Sequence, residues 1–172
     1  MSEKTLEPEV VAHRGEALRL LTASAGRFSI PSGVYRYPAL GYVLAKEAPF
    51  SGVVIHIAVN DVPGYEGVPA GTAQFFASLA EERDFGCHVG GDEFLLICPE
   101  PDAAAANRRL RSILEKLWTF QLSAGPDLPV LFSWGAAEAR EERLVDAATN
   151  ATEKMLQTKR QRQSVYIDST AP

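Results

Sequence analysis

Two apolar segments, Phe85–Val89 and Phe94–Cys98, are separated by the four residues Gly90-Gly91-Asp92-Glu93. Glycine reaches backbone conformations with positive φ at no steric cost, and a tight reversal between two strands requires such conformations. The sequence therefore predicts a β-hairpin with two carboxylates at its tip. Because an isolated hairpin is only marginally stable in water, other parts of the chain must cover its apolar face.

Alternating patterns around this hairpin indicate the rest of the architecture. The run Gly52–Val59 is almost entirely apolar and rich in β-branched residues, which is typical of a strand buried on both faces at the centre of a sheet. Apolar residues at helical spacing predict three helices, at 70–82, 102–120 and 141–160, and further strands are predicted at 130–134 and 164–167. This order predicts an α/β protein, more closely an α+β two-layer sandwich with a βαββαβ core and a central mixed sheet.

The predicted helix 102–120 has a clear apolar periodicity. Asp102 is expected to cap its N-terminus. The core stripe is predicted to consist of Leu110, Ile113, Leu114 and Leu117. The basic residues are expected on the solvent face: Arg108, Arg109, Arg111 and Lys116. Three aromatic residues, Trp118, Phe120 and Trp134, are expected in the core.

The chain divides into three predicted segments. Residues 1–27 are predicted to form an N-terminal helical extension, because apolar residues recur at helical spacing over 6–25. Residues 28–167 are predicted to form the main domain. Residues 168–172 are expected to form a frayed tail, because chain ends that are not tied down by packing are usually poorly ordered.

Composition and charge exclude several functional classes. The 172 residues carry a formal net charge of −5, whereas a protein that coats a nucleic acid polymer presents a basic surface. The first residues lack the pattern of a secretory signal, and no segment approaches the ~20 apolar residues of a membrane span. We therefore expect a cytoplasmic location without membrane insertion, and free thiols rather than a disulfide at Cys87 and Cys98.

The residues at the hairpin tip match a known signature. Gly90–Phe94 reads Gly-Gly-Asp-Glu-Phe, Ser133–Ala137 reads Ser-Trp-Gly-Ala-Ala, and Thr158-Lys159 ends a predicted helix. Together with Ser32–Val34, these segments resemble the GGDEF domain family, which includes the diguanylate cyclases. The resemblance covers roughly residues 28–167 and implies a nucleotidyl-cyclase-like fold. In active members, two GTP-loaded domains face each other, and a divalent metal ion assists the conversion of two GTP to cyclic di-GMP (c-di-GMP).

The resemblance also implies a set of site residues. Asp92 and Glu93 are the expected catalytic residues if the chain is active. The metal site would combine Asp92 with His56, which stands where active members have an aspartate on the central strand. Nucleotide binding is expected from five residues: Gly90, Gly91, Asp92, Glu93 and Lys159.

Several positions depart from the family pattern. No carboxylate occurs between Val53 and Asn60, and Thr72 replaces the aspartate that reads guanine. At the inhibitory product site, Glu81 replaces the family's arginine, whereas Asp84 is retained. A glutamate cannot form the forked contacts that a guanidinium makes with phosphate, so we expect no inhibitory site here.

These departures predict a degenerate GGDEF domain in bacterial c-di-GMP signalling that lacks diguanylate cyclase activity. We expect a regulatory module that binds a protein partner or a nucleotide and requires no cofactor. Homodimer formation, and binding of GTP with Mg²⁺ or Mn²⁺, stay open. The alternative hypothesis is an active, divergent cyclase that converts two GTP to c-di-GMP with a divalent metal.

Overall fold

Five strands and three helices occur in the part of the chain that the computed structural model describes, which is residues 35–36, 44, 48–59, 71–90, 93–123 and 132–170. The strands are β1 (Tyr35–Arg36), β2 (Pro49–Val59), β3 (Phe85–Gly90), β4 (Glu93–Pro99) and β5 (Phe132–Arg143). The helices are α1 (Thr72–Leu79), α2 (Ala103–Ser123) and α3 (Leu144–Thr170). The predicted helical extension over 1–27 lies outside the described residues, so the segment boundaries stay predictions.

The described strands form one sheet with the order β1-β3-β4-β2-β5. β1 runs parallel to β3, while β3–β4, β4–β2 and β2–β5 are antiparallel pairs. The predicted mixed sheet is therefore confirmed, as is the βαββαβ order β2-α1-β3-β4-α2-β5. β2 lies between β4 and β5, and every residue from Gly52 to Val59 is buried, as its apolar sequence predicts.

Helices cover both faces of the sheet. On one face, α1 and α2 enclose a core that includes Val53, Ile55, Ile57, Phe76, Leu79, Phe94, Ile113 and Phe132. On the other face, Ala147, Ala148 and Ala151 of α3 pack over Val54, Val89, Leu95, Ala137 and Ala139 of the sheet. Successive side chains of a strand alternate between faces, so Val54 and His56 point toward α3 while Ile55 and Ile57 point toward α1 and α2.

α2 begins as predicted, and its predicted core residues Ile113 and Leu117 are buried, with Leu110 and Leu114 partly buried against the core. The Asp102 carboxylate accepts a hydrogen bond from the Ala105 N–H at 2.8 Å and so caps the helix. The buried residues of α2 are Ala106, Arg109, Ile113 and Leu117. The prediction that Arg109 faces solvent is therefore wrong, because Arg109 lies within this stripe. Trp118 is 63% exposed, so its predicted core position is also wrong.

The C-terminal elements differ from the prediction. β5 continues to Arg143 and α3 runs from Leu144 through Thr170, so residues 164–167 are helical and the predicted strand there is wrong. Residues 144–170 contain neither glycine nor proline, the residues that most strongly end a helix. The short β-branched segment therefore continues the helix that precedes it.

Candidate functional site

His56 lies in the middle of β2, on the face covered by α3, and its side chain is completely buried. The strand interior offers no water to solvate an imidazole, so its ring nitrogens need protein partners. Nδ1 lies 2.8 Å from Thr152 Oγ1 on α3, and Nε2 lies 3.0 Å from Glu93 Oε2 on β4. His56 thus links three elements of the fold through two hydrogen bonds.

A glycine in β5 lets α3 approach His56 closely. Gly135 is the β5 residue opposite His56 in the sheet. A Cβ at Gly135 would lie 2.2 Å from the Ala151 carbonyl oxygen and 2.3 Å from the Met155 backbone nitrogen. Because only a residue without a Cβ fits here, α3 crosses β5 at a distance that brings Thr152 to His56.

Glu93 is the first residue of β4 and lies diagonally opposite His56, since the register pairs Ala58 with Glu93 and His56 with Leu95. The Glu93 side chain is 16% exposed. Burial acts to raise the pKa of Glu93, but the hydrogen bond and charge of His56, together with the charge of Lys159, outweigh burial and leave this pKa lowered. Glu93 is therefore ionised at neutral pH.

Replacing Glu93 with glutamine is expected to lower the free energy of unfolding at neutral pH by about 2 kcal/mol, because His56 loses its charged partner. The pKa of Glu93 is lower in the folded state. Its stabilisation is therefore complete above the unfolded-state pKa of about 4.3 and disappears as the pH falls through the folded-state pKa. Urea unfolding of both proteins from neutral to strongly acidic pH measures this difference. A difference in the free energy of unfolding that does not shrink at acidic pH would contradict the stabilisation by ionised Glu93.

The structure brings together part of the predicted site. His56 and Glu93 are in direct contact, and Lys159 on α3 is near enough for its charge to lower the pKa of Glu93. Gly90 ends β3 opposite Glu93, next to a register shift in the β3–β4 pair. Gly91-Asp92 lies outside the described residues. The predicted metal pair of Asp92 with His56 therefore stays a prediction.

A second charged cluster surrounds Arg109 on α2, whose side chain is 6% exposed. Nη2 donates to the Leu79 backbone carbonyl at 2.7 Å and to Asp84 Oδ2 at 2.5 Å, and Nη1 donates to Glu81 Oε1. Asp84 Oδ2 also accepts a hydrogen bond from the Glu81 N–H at 2.7 Å. Arg109 therefore ties the end of α1 to the turn that precedes β3.

Burial changes the protonation of groups near this cluster. Burial raises the pKa of the Asp84 carboxyl to about 6, although the hydrogen bond with the Cys98 side chain acts in the opposite direction. Burial, with the nearby charge of Asp84, also raises the pKa of the Cys98 thiol, and burial raises the pKa of Cys87 to about 12. The predicted free thiols are confirmed, and both are protonated and inert at neutral pH.

Two of the residues that build these clusters were not predicted. Thr152 lies two helical turns before Lys159, so its spacing from Lys159 predicts that both residues lie on one face of α3. Arg109 follows Ala106 by three positions and precedes Ile113 by four, which is the spacing of a buried stripe. The carboxylate partners of Arg109 lie 25 and 28 residues away, and no periodicity indicates them.

Two observations concern metals and membranes. Among the residues that the structure describes, no group of three or more His, Cys, Asp or Glu side chains is arranged to hold a metal ion. Neither α1, α2 nor α3 is long and apolar enough to cross a membrane.

Comparison with known proteins gives a family match and structures with a similar fold. A family described as "Diguanylate cyclase, GGDEF domain" matches residues 70–164. No curated protein sequence matches the chain. The diguanylate cyclase SiaD from Pseudomonas aeruginosa, solved in complex with its activator SiaC, is 22% identical, with a TM-score of 0.56 over 89% of this chain. This chain covers 65% of the length of that SiaD chain.

Two further structures have the same fold. The FimX GGDEF domain from Pseudomonas aeruginosa is 18% identical with a TM-score of 0.55, and the match covers 78% of this chain and 96% of that one. The GGDEF domain of DgcB from Caulobacter crescentus, solved in complex with c-di-GMP, is 18% identical with a TM-score of 0.53, and the match covers 81% of this chain and 94% of that one. Since the family match spans more than half of the sequence and includes the hairpin, the chain belongs to the GGDEF domain family.

Proposed function

We propose that this chain is a degenerate GGDEF domain of bacterial c-di-GMP signalling that lacks diguanylate cyclase activity and acts as a regulatory binding module. The observation that carries the proposal is the hydrogen bond between His56 and Glu93. A histidine occupies the strand position where active members are expected to have a metal-binding aspartate. The signature glutamate is thus engaged with a buried imidazole instead of facing a metal-bound triphosphate.

The described residues do not suit a divalent cation. Mg²⁺ prefers several oxygen ligands, and Mn²⁺ likewise favours carboxylate oxygens. β2 contributes no carboxylate between Val53 and Val59, and both ring nitrogens of His56 already have protein partners. We therefore propose that the module needs no metal cofactor.

The arrangement around Arg109 supports the absence of an inhibitory product site. Glu81 and Asp84 occupy the two positions that the family resemblance assigns to that site, and both carboxylates are bonded to Arg109. A phosphate would have to displace these contacts and would meet two carboxylates. Binding of c-di-GMP at this position is therefore not part of the proposed function.

The structural neighbours indicate which partners to test. SiaD was solved with a protein activator and the DgcB domain with c-di-GMP, so GGDEF folds are known in complexes of both kinds. We propose a cytoplasmic protein partner for this module, with GTP and a second copy of the chain as further ligands to test.

The first experiment measures turnover. The purified chain, incubated with GTP and either Mg²⁺ or Mn²⁺, is expected to form no c-di-GMP, while SiaD treated identically serves as the positive control. Chromatography with mass detection identifies the product. Formation of c-di-GMP that disappears in the Asp92→Ala variant would refute the proposal in favour of an active, divergent cyclase.

A second experiment separates nucleotide binding from protein binding. A ligand that binds only the native state raises the melting temperature by mass action. Thermal unfolding with GTP, ATP and c-di-GMP therefore screens all three ligands. If GTP binds, we expect the Lys159→Ala variant to lose the increase, because Lys159 is a cation whose charge acts on the signature glutamate and lowers the pKa of Glu93. An unchanged melting temperature with all three would assign the module to protein contacts.

A further inference from the structure

We propose that the exposed face of α2 is a self-association surface, through which two copies of this chain pair in an antiparallel arrangement around a two-fold axis. The surface, which we call the α2 stripe, consists of six exposed residues: Ala104, Arg108, Arg111, Glu115, Trp118 and Leu122. They follow one another at alternate spacings of four and three, the spacing of a coiled-coil seam. The α2 stripe lies away from His56 and Glu93, so the inference goes beyond the proposed function and does not depend on it.

The α2 stripe faces directly away from the core. At 3.6 residues per turn, its six residues lie within about 80° of one another around the helix axis. The buried residues of the helix lie on the opposite side: Ala106, Arg109, Ile113 and Leu117. Trp118 and Leu122, one turn apart, are 63% and 67% exposed and are the exposed large hydrophobic residues of the described chain. A partner that covers this pair removes apolar surface from water.

The spacing of the α2 stripe is the same in both directions from its centre, at the level of Ile113. Two antiparallel copies related by a two-fold axis at this level therefore face each other in register. Arg111 then lies against the partner's Glu115, and the symmetry forms this ion pair twice. A parallel pair would instead bring like charges together, which repel.

Both charges of this ion pair are available to a second copy. Arg111 and Glu115 are exposed, and none of the ion pairs or side-chain hydrogen bonds in the described part of the chain involves either side chain. Pairing with a second copy therefore breaks no contact within the chain. Charge complementarity thus favours a second copy as the occupant of the α2 stripe.

The two ends of the α2 stripe complement each other in the same register. Arg108 lies against the partner's Trp118, where a guanidinium over an indole face makes a cation–π contact. Ala104 lies against the partner's Leu122, and its small methyl group leaves space for the larger side chain. α2 has 21 residues and is about 31 Å long. A single helix pair of this length is smaller than a standard interface of about 1,600 Å², so we expect weak association with a Kd on the order of 10–100 µM.

The position of α2 decides how such a dimer presents the signature residues. α2 helps to cover one face of the sheet, whereas His56 meets Thr152 of α3 on the other face. Pairing through α2 therefore leaves the His56 sites of the two copies on outer faces that point away from each other. The dimer is then bivalent, and a partner with two binding sites would gain affinity from engaging both copies.

Two charge reversals test the register. Arg111→Glu makes both paired positions acidic and Glu115→Arg makes both basic, so each variant repels a copy of itself. An equimolar mixture restores both ion pairs between unlike copies. Sedimentation equilibrium of the full chain, from about 5 to 500 µM, should show wild-type dimers, at least about tenfold weaker association of each variant alone, and recovery of the wild-type Kd in the mixture.

Controls separate the α2 stripe from net charge and from misfolding. Lys116→Glu changes the charge by the same amount as Arg111→Glu, at an exposed position of α2 outside the stripe, and should leave association unchanged. Trp118→Ala should weaken dimerisation by about tenfold, because it removes the apolar anchor twice per dimer. All substituted positions are exposed, so circular dichroism spectra should match that of the wild type.

Three results would overturn the inference. The first is a wild-type chain that stays monomeric at about 500 µM. The second is a dimer that both charge reversals leave intact, or that their mixture fails to restore. The third is equal weakening by Lys116→Glu and Arg111→Glu. None of these results bears on turnover, and c-di-GMP synthesis by the wild type would refute the proposed function without changing the association measurements.

Discussion

Replacing Arg109 with alanine is expected to lower the free energy of unfolding by about 3–5 kcal/mol, because the change leaves a buried carboxylate without its cation. The side chains of Arg109 and Asp84 are only 6% and 5% exposed. Removing the guanidinium also leaves the Leu79 carbonyl without the hydrogen bond it accepts at the end of α1. Urea unfolding at neutral pH, monitored by circular dichroism, gives the difference in stability.

The two carboxylate partners of Arg109 supply the controls. Glu81 is 66% exposed, so Glu81→Ala should cost less than about 1 kcal/mol. The double variant Arg109→Ala/Asp84→Ala should lose less than the sum of the single changes, because no charge is then left buried and unpaired. A cost below about 1 kcal/mol for Arg109→Ala would show that the cluster does not stabilise the fold.

Replacing Gly135 with alanine is expected to cost at least about 3 kcal/mol, at the upper end of the usual range for overpacking. The added Cβ would lie 2.2 Å from the Ala151 carbonyl oxygen and 2.3 Å from the Met155 backbone nitrogen. These are backbone atoms that cannot rotate away, so α3 must shift as a whole. The shift should also lengthen the contact between Thr152 and His56, and the His56 ring signals in NMR spectra report on it.

A second glycine separates packing from backbone strain. Gly71 has a φ of +86° and no atom within 4 Å of an added Cβ, so Gly71→Ala tests the left-handed conformation alone. That variant should cost about 1–2 kcal/mol and leave the His56 signals unchanged. If Gly135→Ala were no more costly than Gly71→Ala, the close crossing of α3 over β5 would be wrong.

Most of the fold was predictable because the patterns that specify it are local. The β-branched run of β2 and the glycine pair between β3 and β4 are patterns of a few residues that are neighbours in sequence. The structure has the strands that these patterns predict. The cap at Asp102 is equally local, since its acceptor and donor are three residues apart. The predicted strand at 164–167 is wrong because the helix that precedes this short segment continues through it, and no glycine or proline ends that helix.

The candidate site was only partly predictable. His56 stood out as a polar residue in an apolar strand, and Glu93 as part of the signature. Their contact follows from the register of β2 with β4, which the sequence does not state. The charge of Arg109 predicts a solvent-exposed position, whereas its place in the periodic stripe predicts burial, and burial is possible for a guanidinium with carboxylate partners.

The sequence by itself determined the hairpin, the central strand, the order of the core elements and the loss of a carboxylate from β2. Only the tertiary structure decided which side chains bond to His56, the residue that stands in its place. His56 and Thr152 are 96 residues apart, and they meet because Gly135 lets α3 lie close against the sheet. The physical reason is that hydrophobic periodicity is repeated along each element, while the partner of a buried polar group depends on which elements pack together.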